Sequence, residues 1–282
     1  MKLVLFDIDG TLLNTGTFGV KSLQNAVKNI TGKTPEYDVK ELIGVSDKKN
    51  FTYMYYCAAG KTPTAKQLDA VKEEYIRLLP SELAALKKSK KYKAASGVEK
   101  FIKELQKYKD VKLALATGNI EEASKIKLAP AGLDKYFITG GFGWDGIKRP
   151  DILKAAVKRA SKVFKHKFTP EEVFVIGDTH LDIVAAKANG YHSAVIKEAG
   201  LADKEKLLRA AAEVEADSFK DIELLLVWLD LKQDPKGVEK GSYILPATAI
   251  EHVFFSRTGI DEQRLKMFRI KKYEDLESGK IW

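Results

Sequence analysis

Four short stretches carry residue types that do chemistry, and each lies where an apolar run gives out. In Phe6-Asp7-Ile8-Asp9-Gly10-Thr11 two carboxylates stand two residues apart. Phosphoryl transfer needs such a pair: one carboxylate attacks phosphorus in line, and the other protonates the leaving oxygen. Gly10 permits the tight path that turns both inward. The same residues also close a strand with an ordinary turn, so this stretch alone leaves both readings open.

A second acidic pair follows much later, in Val173-Phe174-Val175-Ile176-Gly177-Asp178-Thr179-His180-Leu181-Asp182. Asp178 ends the apolar run and Asp182 sits one helical turn on, so both can face one point. Hard oxygen ligands gathered beside a phosphate suit magnesium; a strand, a turn and a helix cap are the plainer alternative. Leu115-Ala116-Thr117-Gly118-Asn119 offers a hydroxyl and free backbone N–H groups at a strand-to-helix turn, where they can hold a phosphate oxygen. Lys148-Arg149-Pro150-Asp151 supplies cations just before a helix, to neutralise charge on the phosphoryl oxygens.

Those stretches need elements to aim them. Apolar runs predict strands at 3–6, 111–116, 137–138, 173–176 and 193–196. Helical spacing appears in Val20, Leu23, Val27 and Ile30, across 36–57 and 65–86, in Val98, Phe101, Ile102 and Leu105, and over 120–129, 152–164 and 183–189. Strands alternating with helices give an α/β fold, a doubly wound, Rossmann-like parallel sheet wrapped on both faces. The helical stretch 15–92 interrupts that alternation straight after the first strand, as an inserted helical cap domain. The core is then 1–14 together with 93–229. In such sheets ligands bind beyond the carboxyl ends of the strands, which is where Asp7, Asp9, Thr117 and Asp178 fall.

Composition narrows the setting. Of 282 residues, 45% are hydrophobic and 31% charged, as in ordinary globular proteins that bury a full core. Cys57, the one cysteine, excludes an internal disulfide and suits a reducing compartment. No apolar run is long enough for a signal peptide or a membrane span, so the expected location is cytoplasmic, with no membrane partner. The net charge of +9 raises the question of nucleic acid. The lysines are spread along most predicted helices, densest at Lys87, Lys88, Lys90, Lys91 and Lys93, without an RNA-binding or zinc-finger signature. They read as a solvated surface and argue against a nucleic-acid partner.

Taken in order, the four stretches resemble the haloacid dehalogenase superfamily, over residues 1–225. Asp7 to Thr11 match its first motif, Thr117 its second, Arg149 beside Pro150 its third, with Lys148 as the other choice, and Gly177 to Asp182 its fourth. The resemblance implies a covalent aspartyl-phosphate on Asp7 that water hydrolyses, with Asp9 as acid and then base. It implies Mg2+ as cofactor, held by the carboxylate of Asp7, the backbone carbonyl of Asp9, and Asp178, with Asp182 in support. Thr11, Gly118, Asn119 and Lys148 would bind the phosphate. The second acid, Asp9, favours phosphoryl transfer over carbon–halogen cleavage. An insertion at this place resembles the small helical cap of the phosphoglycolate phosphatase-like branch, whose caps close over small substrates. Gly44, Ser46, Asp47 and Lys48 resemble its substrate loop; a plain interhelical loop is the other reading.

The expected function is thus a phosphatase acting on a small phosphorylated metabolite. A sugar phosphomutase and a catalytically inactive binding or regulatory protein are the alternatives. Gly32-Lys33-Thr34 and Gly60-Lys61-Thr62 echo a P-loop, but Val27 and Tyr55 stand where its first glycine belongs. His166, His192 and His252 have no ligand spacing and read as structural; His180, inside the fourth motif, could touch the site or simply start a helix. The C-terminal extension 230–282, with possible strands at 243–245 and 253–255, carries no readable role, and the sequence does not set the oligomeric state.

Overall fold

The computed structural model describes residues 1–232 apart from Thr17, Ile43 and 200–203. His252 and both possible strands of the C-terminal extension lie outside the described residues.

The first strand, β1 (Lys2–Phe6), buries Leu3 to Phe6 completely, which a strand can do only when both faces of its sheet are covered. Alternation divides its side chains. Leu3 and Leu5 join Ala114, Val173 and Val175 against helix residues Leu153, Ala156 and Ala160. Phe6 turns the other way and meets Phe101, Phe137 and Phe219 at ring separations of 6.4, 5.6 and 6.2 Å. Truncating such a ring costs about 3–5 kcal/mol.

Around β1 the sheet is completed by β4 (Val111–Ala116), β5 (Gly140–Gly141), β6 (Val173–Gly177), β7 (His192–Ile196) and β8 (Val214–Ala216). The spatial order is β5-β4-β1-β6-β7-β8, every pair parallel. The helices α4 (Val98–Leu105), α5 (Glu121–Leu128), α6 (Arg149–Val163), α7 (His180–Ala188), α8 (Lys204–Ala210) and α9 (Ile222–Trp228) alternate with the strands along the chain. This is the expected doubly wound α/β fold. The expected strand at 137–138 is absent. Phe137 is drawn into the aromatic cluster, Ile138 is 69% exposed, and the edge strand forms two residues later. Two glycines with little strand propensity pair there because Leu115 and Ala116 lie alongside. The short strand β8 was also invisible to alternation.

After β1 the chain enters β2 (Leu13–Asn14), which pairs antiparallel with β3 (Lys93–Ala94). Between them lie α1 (Phe18–Thr31), α2 (Asp47–Ala59) and α3 (Ala65–Lys88). These helices share an apolar centre that includes Leu23, Val27, Phe51, Met54, Tyr75 and Leu79 and reaches Ile120 and Ala123 near α5. A capping box, Thr64 with Gln67, starts α3. The helical reading of 36–57 is broken in two, with a 3-10 turn at Val39–Leu42 and then α2, because the chain bends at Gly44 (φ +72°). Gly32 and Gly60 end α1 and α2 in left-handed conformation, so the two Gly-Lys-Thr triplets are helix stops. The lysines of 87–93 are exposed. Among the described residues no helix is long and apolar enough to cross a membrane.

Candidate active site

Phe6 lies opposite Leu115 on one side and Ile176 on the other, so β4, β1 and β6 end almost level. Asp7, Thr117 and Asp178 therefore leave three adjacent strands at one edge of the sheet. Carboxylate oxygens of Asp7, Asp178 and Asp182 lie within 4.8 Å of one another, and all three residues are buried. The site is this dense because Gly10 has no side chain. A Cβ there would overlap the Asp178 carboxylate, and the backbone is left-handed at φ +82°.

One cation answers the three acids. Arg149, the first residue of α6, brings Nη2 to 2.6 Å from Asp182 Oδ1 and 3.0 Å from Asp7 Oδ1. It also donates to the Ala116 carbonyl at 3.2 Å. Pro150, next along, is well placed in a first helical turn, where no intrahelical N–H is needed. Both oxygens of Asp182 already accept hydrogen bonds. Its Oδ2 accepts from the Thr179 N–H at 3.1 Å and hydroxyl at 2.8 Å in the capping box of α7. Thr11, expected on phosphate, donates its hydroxyl to Asp178 Oδ1 at 3.4 Å. Asp7 Oδ1, though within ion-pair distance of Arg149, and the buried Arg149 Nε make no hydrogen bond of good geometry among the described residues.

The charge balance here is unfavourable for three bare carboxylates. Burial pushes Asp7 upward, against the pull of Arg149 and the Thr117 hydroxyl, and Asp182 and Asp9 add to the rise. Asp178 is driven well above the carboxylate range by burial, then by Asp182 and Asp7. Buried hard oxygens that resist ionising together form a donor set that fits a divalent cation, which would reverse both effects. All three acids have an oxygen within reach of it, although both of those on Asp182 already accept hydrogen bonds.

Asp9 faces different company. Its Oδ1 accepts from the Thr15 hydroxyl at 3.1 Å, and its Oδ2 from Asn119 Nδ2 at 2.8 Å and Lys127 Nζ at 2.6 Å. Burial opposes ionisation of Asp9, but the Lys127 ammonium, Asn119 and Thr15 together outweigh it and hold the carboxyl below its usual range. Asn119 also donates to Thr117 Oγ1 at 2.8 Å and accepts from Lys127 at 2.6 Å.

The loop before α2 reaches this turn from above. The Asp47 N–H donates to the Gly118 carbonyl at 2.7 Å, and its carboxylate accepts from the Ile120 N–H at 2.8 Å. The Ser46 hydroxyl donates to the Ile147 carbonyl at 3.3 Å, and a Cβ on Gly44 would press on Leu181. Burial raises Asp47 to about 7, with Lys127 pulling the other way. The Lys48 carbonyl accepts from the Thr52 hydroxyl, Lys148 is exposed, and among the described residues neither lysine has a hydrogen bond or ion pair to the acids. His166 and His192 pair with Glu172 and Glu213, away from the strand ends. Lys127 and Thr15 were missed by the sequence reading. Neither sits in a motif, and a lysine in the last turn of a helix ordinarily reads as a surface residue.

A family model of haloacid dehalogenase-like hydrolases matches residues 4–196. The chain belongs to that family and is a hydrolytic enzyme of it. Among curated relatives, a phosphorylated carbohydrates phosphatase from Thermotoga maritima is 28% identical over 217 residues, 75% of this chain and 92% of that protein. A phosphoglycolate phosphatase from Aquifex aeolicus is 26% identical, over 69% of this chain and 84% of its own. Among solved structures, CbbY from Rhodobacter sphaeroides in complex with phosphate shares the fold at a TM-score of 0.62, with 20% identity, over 82% of this chain and all of that one (100%).

Proposed function

We propose that the protein is a Mg2+-dependent phosphatase that hydrolyses a small phosphomonoester through an aspartyl-phosphate on Asp7. The observation that carries this reading is the convergence of Asp7, Thr117 and Asp178 from three neighbouring strand ends with Arg149 from the start of α6, and Asp9 beside them in a separate, cationic setting. The phosphatase names of the two curated relatives agree with it.

Asp7 attacks phosphorus as the bond to the leaving oxygen breaks, and Asp9 gives that oxygen its proton. Water then attacks the phosphorus of the aspartyl-phosphate, its proton passes to Asp9, and the bond to Asp7 breaks to restore the carboxylate. Atoms balance as ester plus water giving alcohol plus phosphate. Arg149 and the Thr117–Asn119 turn hold the non-bridging oxygens. Asp7, Asp178 and the Asp9 carbonyl would hold Mg2+, with Asp182 in support through Arg149; when bound, the ion offsets negative charge on the phosphoryl group. The helical insertion, residues 15–92, serves as the cap that excludes bulk water, its Asp47 loop lying against the Gly118 turn.

The test is phosphate release with Mg2+ across sugar phosphates, phosphoglycolate and nucleotides. Release from small esters is expected. No release from any ester, together with no Mg2+-dependent binding of beryllium fluoride, which mimics an acyl-phosphate, overturns the reading in favour of an inactive protein. Conversion of a hexose 1-phosphate to the 6-phosphate without free phosphate overturns it in favour of a mutase.

A further inference from the structure

Lys127 has no place in any motif, yet its ammonium is among the most enclosed groups near the strand ends. The side chain is 3% exposed and runs back along α5 to reach Asn119, the residue that stands two before that helix. Burying an ammonium is expensive unless it is paired. Here two of its three protons are used, on Asp9 Oδ2 and Asn119 Oδ1, each at 2.6 Å. Room for it is made by Gly19 of α1, where a Cβ would come within 3.3 Å of Nζ. The main chain beneath is tied down as well, the Lys127 carbonyl accepting from the Tyr92 hydroxyl at 2.8 Å.

The bonding is directional. An ammonium only donates, so Asn119 must present its oxygen to Lys127. That choice turns Nδ2 toward Asp9 Oδ2 and Thr117 Oγ1, both at 2.8 Å. With an apolar residue at 127 the amide oxygen loses its donor, and the sense rests on Asp9 and Thr117 alone. An amide oxygen facing the carboxylate would repel it. One lysine thus sets the orientation of two groups, the acid that serves the leaving oxygen and the amide that braces the Thr117 turn.

We propose that Lys127 is a positioning residue that aims the Asp9 carboxyl at the leaving-group oxygen and fixes the sense of the Asn119 amide. The inference rests on the phosphatase reading. A structural ion pair alone would support every substrate equally. A residue that aims the acid matters most where the leaving oxygen needs a proton, as in an alkyl ester, and least for p-nitrophenyl phosphate, whose leaving group departs unprotonated.

The experiment compares kcat/KM of the full chain with Mg2+ on p-nitrophenyl phosphate and on whichever sugar phosphate the wild type hydrolyses. Lys127→Met should lose about 100-fold or more on the sugar phosphate and less than about tenfold on the aryl ester. It should also show a burst of nitrophenolate, since water activation by Asp9 slows while the first step continues. Equal loss on the two esters, or no loss on either, at an unchanged melting temperature overturns the proposal. Should Lys127→Met be too unstable to assay, Lys127→Arg carries the same comparison. Its guanidinium keeps the charge but is planar and bulkier than an ammonium, so it cannot take the same place beside Gly19; a smaller selective loss is expected and an equal one overturns the proposal. A wild-type chain that releases no phosphate from either ester overturns the phosphatase reading itself, a result distinct from equal loss in an active enzyme.

Discussion

Asp7 and Asp9 are the same residue type, two positions apart on one strand end, and the fold gives them opposite surroundings. Asp7 looks into a cluster of three buried acids, two of which share one guanidinium. Asp9 is one acid facing an ammonium, an amide and a hydroxyl. A site short of positive charge accepts a cation and a phosphoryl group; a site already balanced holds one carboxylate still. In the metal-free chain these settings push Asp7 up and Asp9 down, the reverse of what a nucleophile and an acid need, and a cation beside Asp7 would restore the charge of its carboxylate.

The strongest way to break this comparison is at Asp7. Asp7→Asn should abolish Mg2+-dependent phosphate release, and substantial activity in that variant rules out a covalent intermediate on this residue. Asp9→Asn comes next. Loss of leaving-group protonation and of water activation should each lower the rate by about 10²–10⁴-fold, seen in kcat/KM on an alkyl ester and in kcat on p-nitrophenyl phosphate.

Smaller effects sharpen the contrast in stability. Arg149→Met leaves the acids uncompensated and should destabilise the metal-free chain by about 3–5 kcal/mol in urea unfolding near pH 7.5. That loss should shrink as pH falls and the carboxyls take up protons. Mg2+ at a hundred times its Kd should raise stability by about 2.7 kcal/mol. Asp178→Asn should remove most of this gain, while Asp9→Asn leaves its carboxylate-based part intact. A gain equally sensitive to both changes would erase the distinction between the two sides.

A further effect, on the pH dependence of stability, belongs to Asp47. Burial lifts its carboxyl from the 3.8 of a free aspartate to about 7, so the folded chain takes up a proton more readily than the unfolded one. The stability this contributes is present below about pH 4 and is lost as pH rises through about 7. Melting temperatures of the metal-free chain between pH 4 and 8 should therefore vary less in Asp47→Asn than in the wild type.

The central strands and the acids at their ends were readable because β1, β4 and β6 are short apolar runs that stop at a polar residue. Arg149 was readable beside Pro150 at a helix start. What escaped depends on contacts that no local pattern records. The Gly140–Gly141 strand exists only because β4 offers it a partner. The Thr11 hydroxyl meets Asp178 only because the packing at Gly10 brings that carboxylate close. Lys127 is distant in sequence from Asp9 and meets it only when α5 packs beneath the helices of the insertion.

The antiparallel pair β2–β3 has a topological consequence. Leu13 faces Ala94 and Asn14 faces Lys93, so the chain leaves the sheet and returns to it through two strands lying side by side. Everything between them is, in effect, the loop of one long hairpin. Cut at its stem, the insertion would leave two ends already adjacent, and a short turn could rejoin them without stretching β1 or α4. The stem is therefore a graft point, where helical segments of other lengths could be spliced in while the catalytic sheet keeps its register.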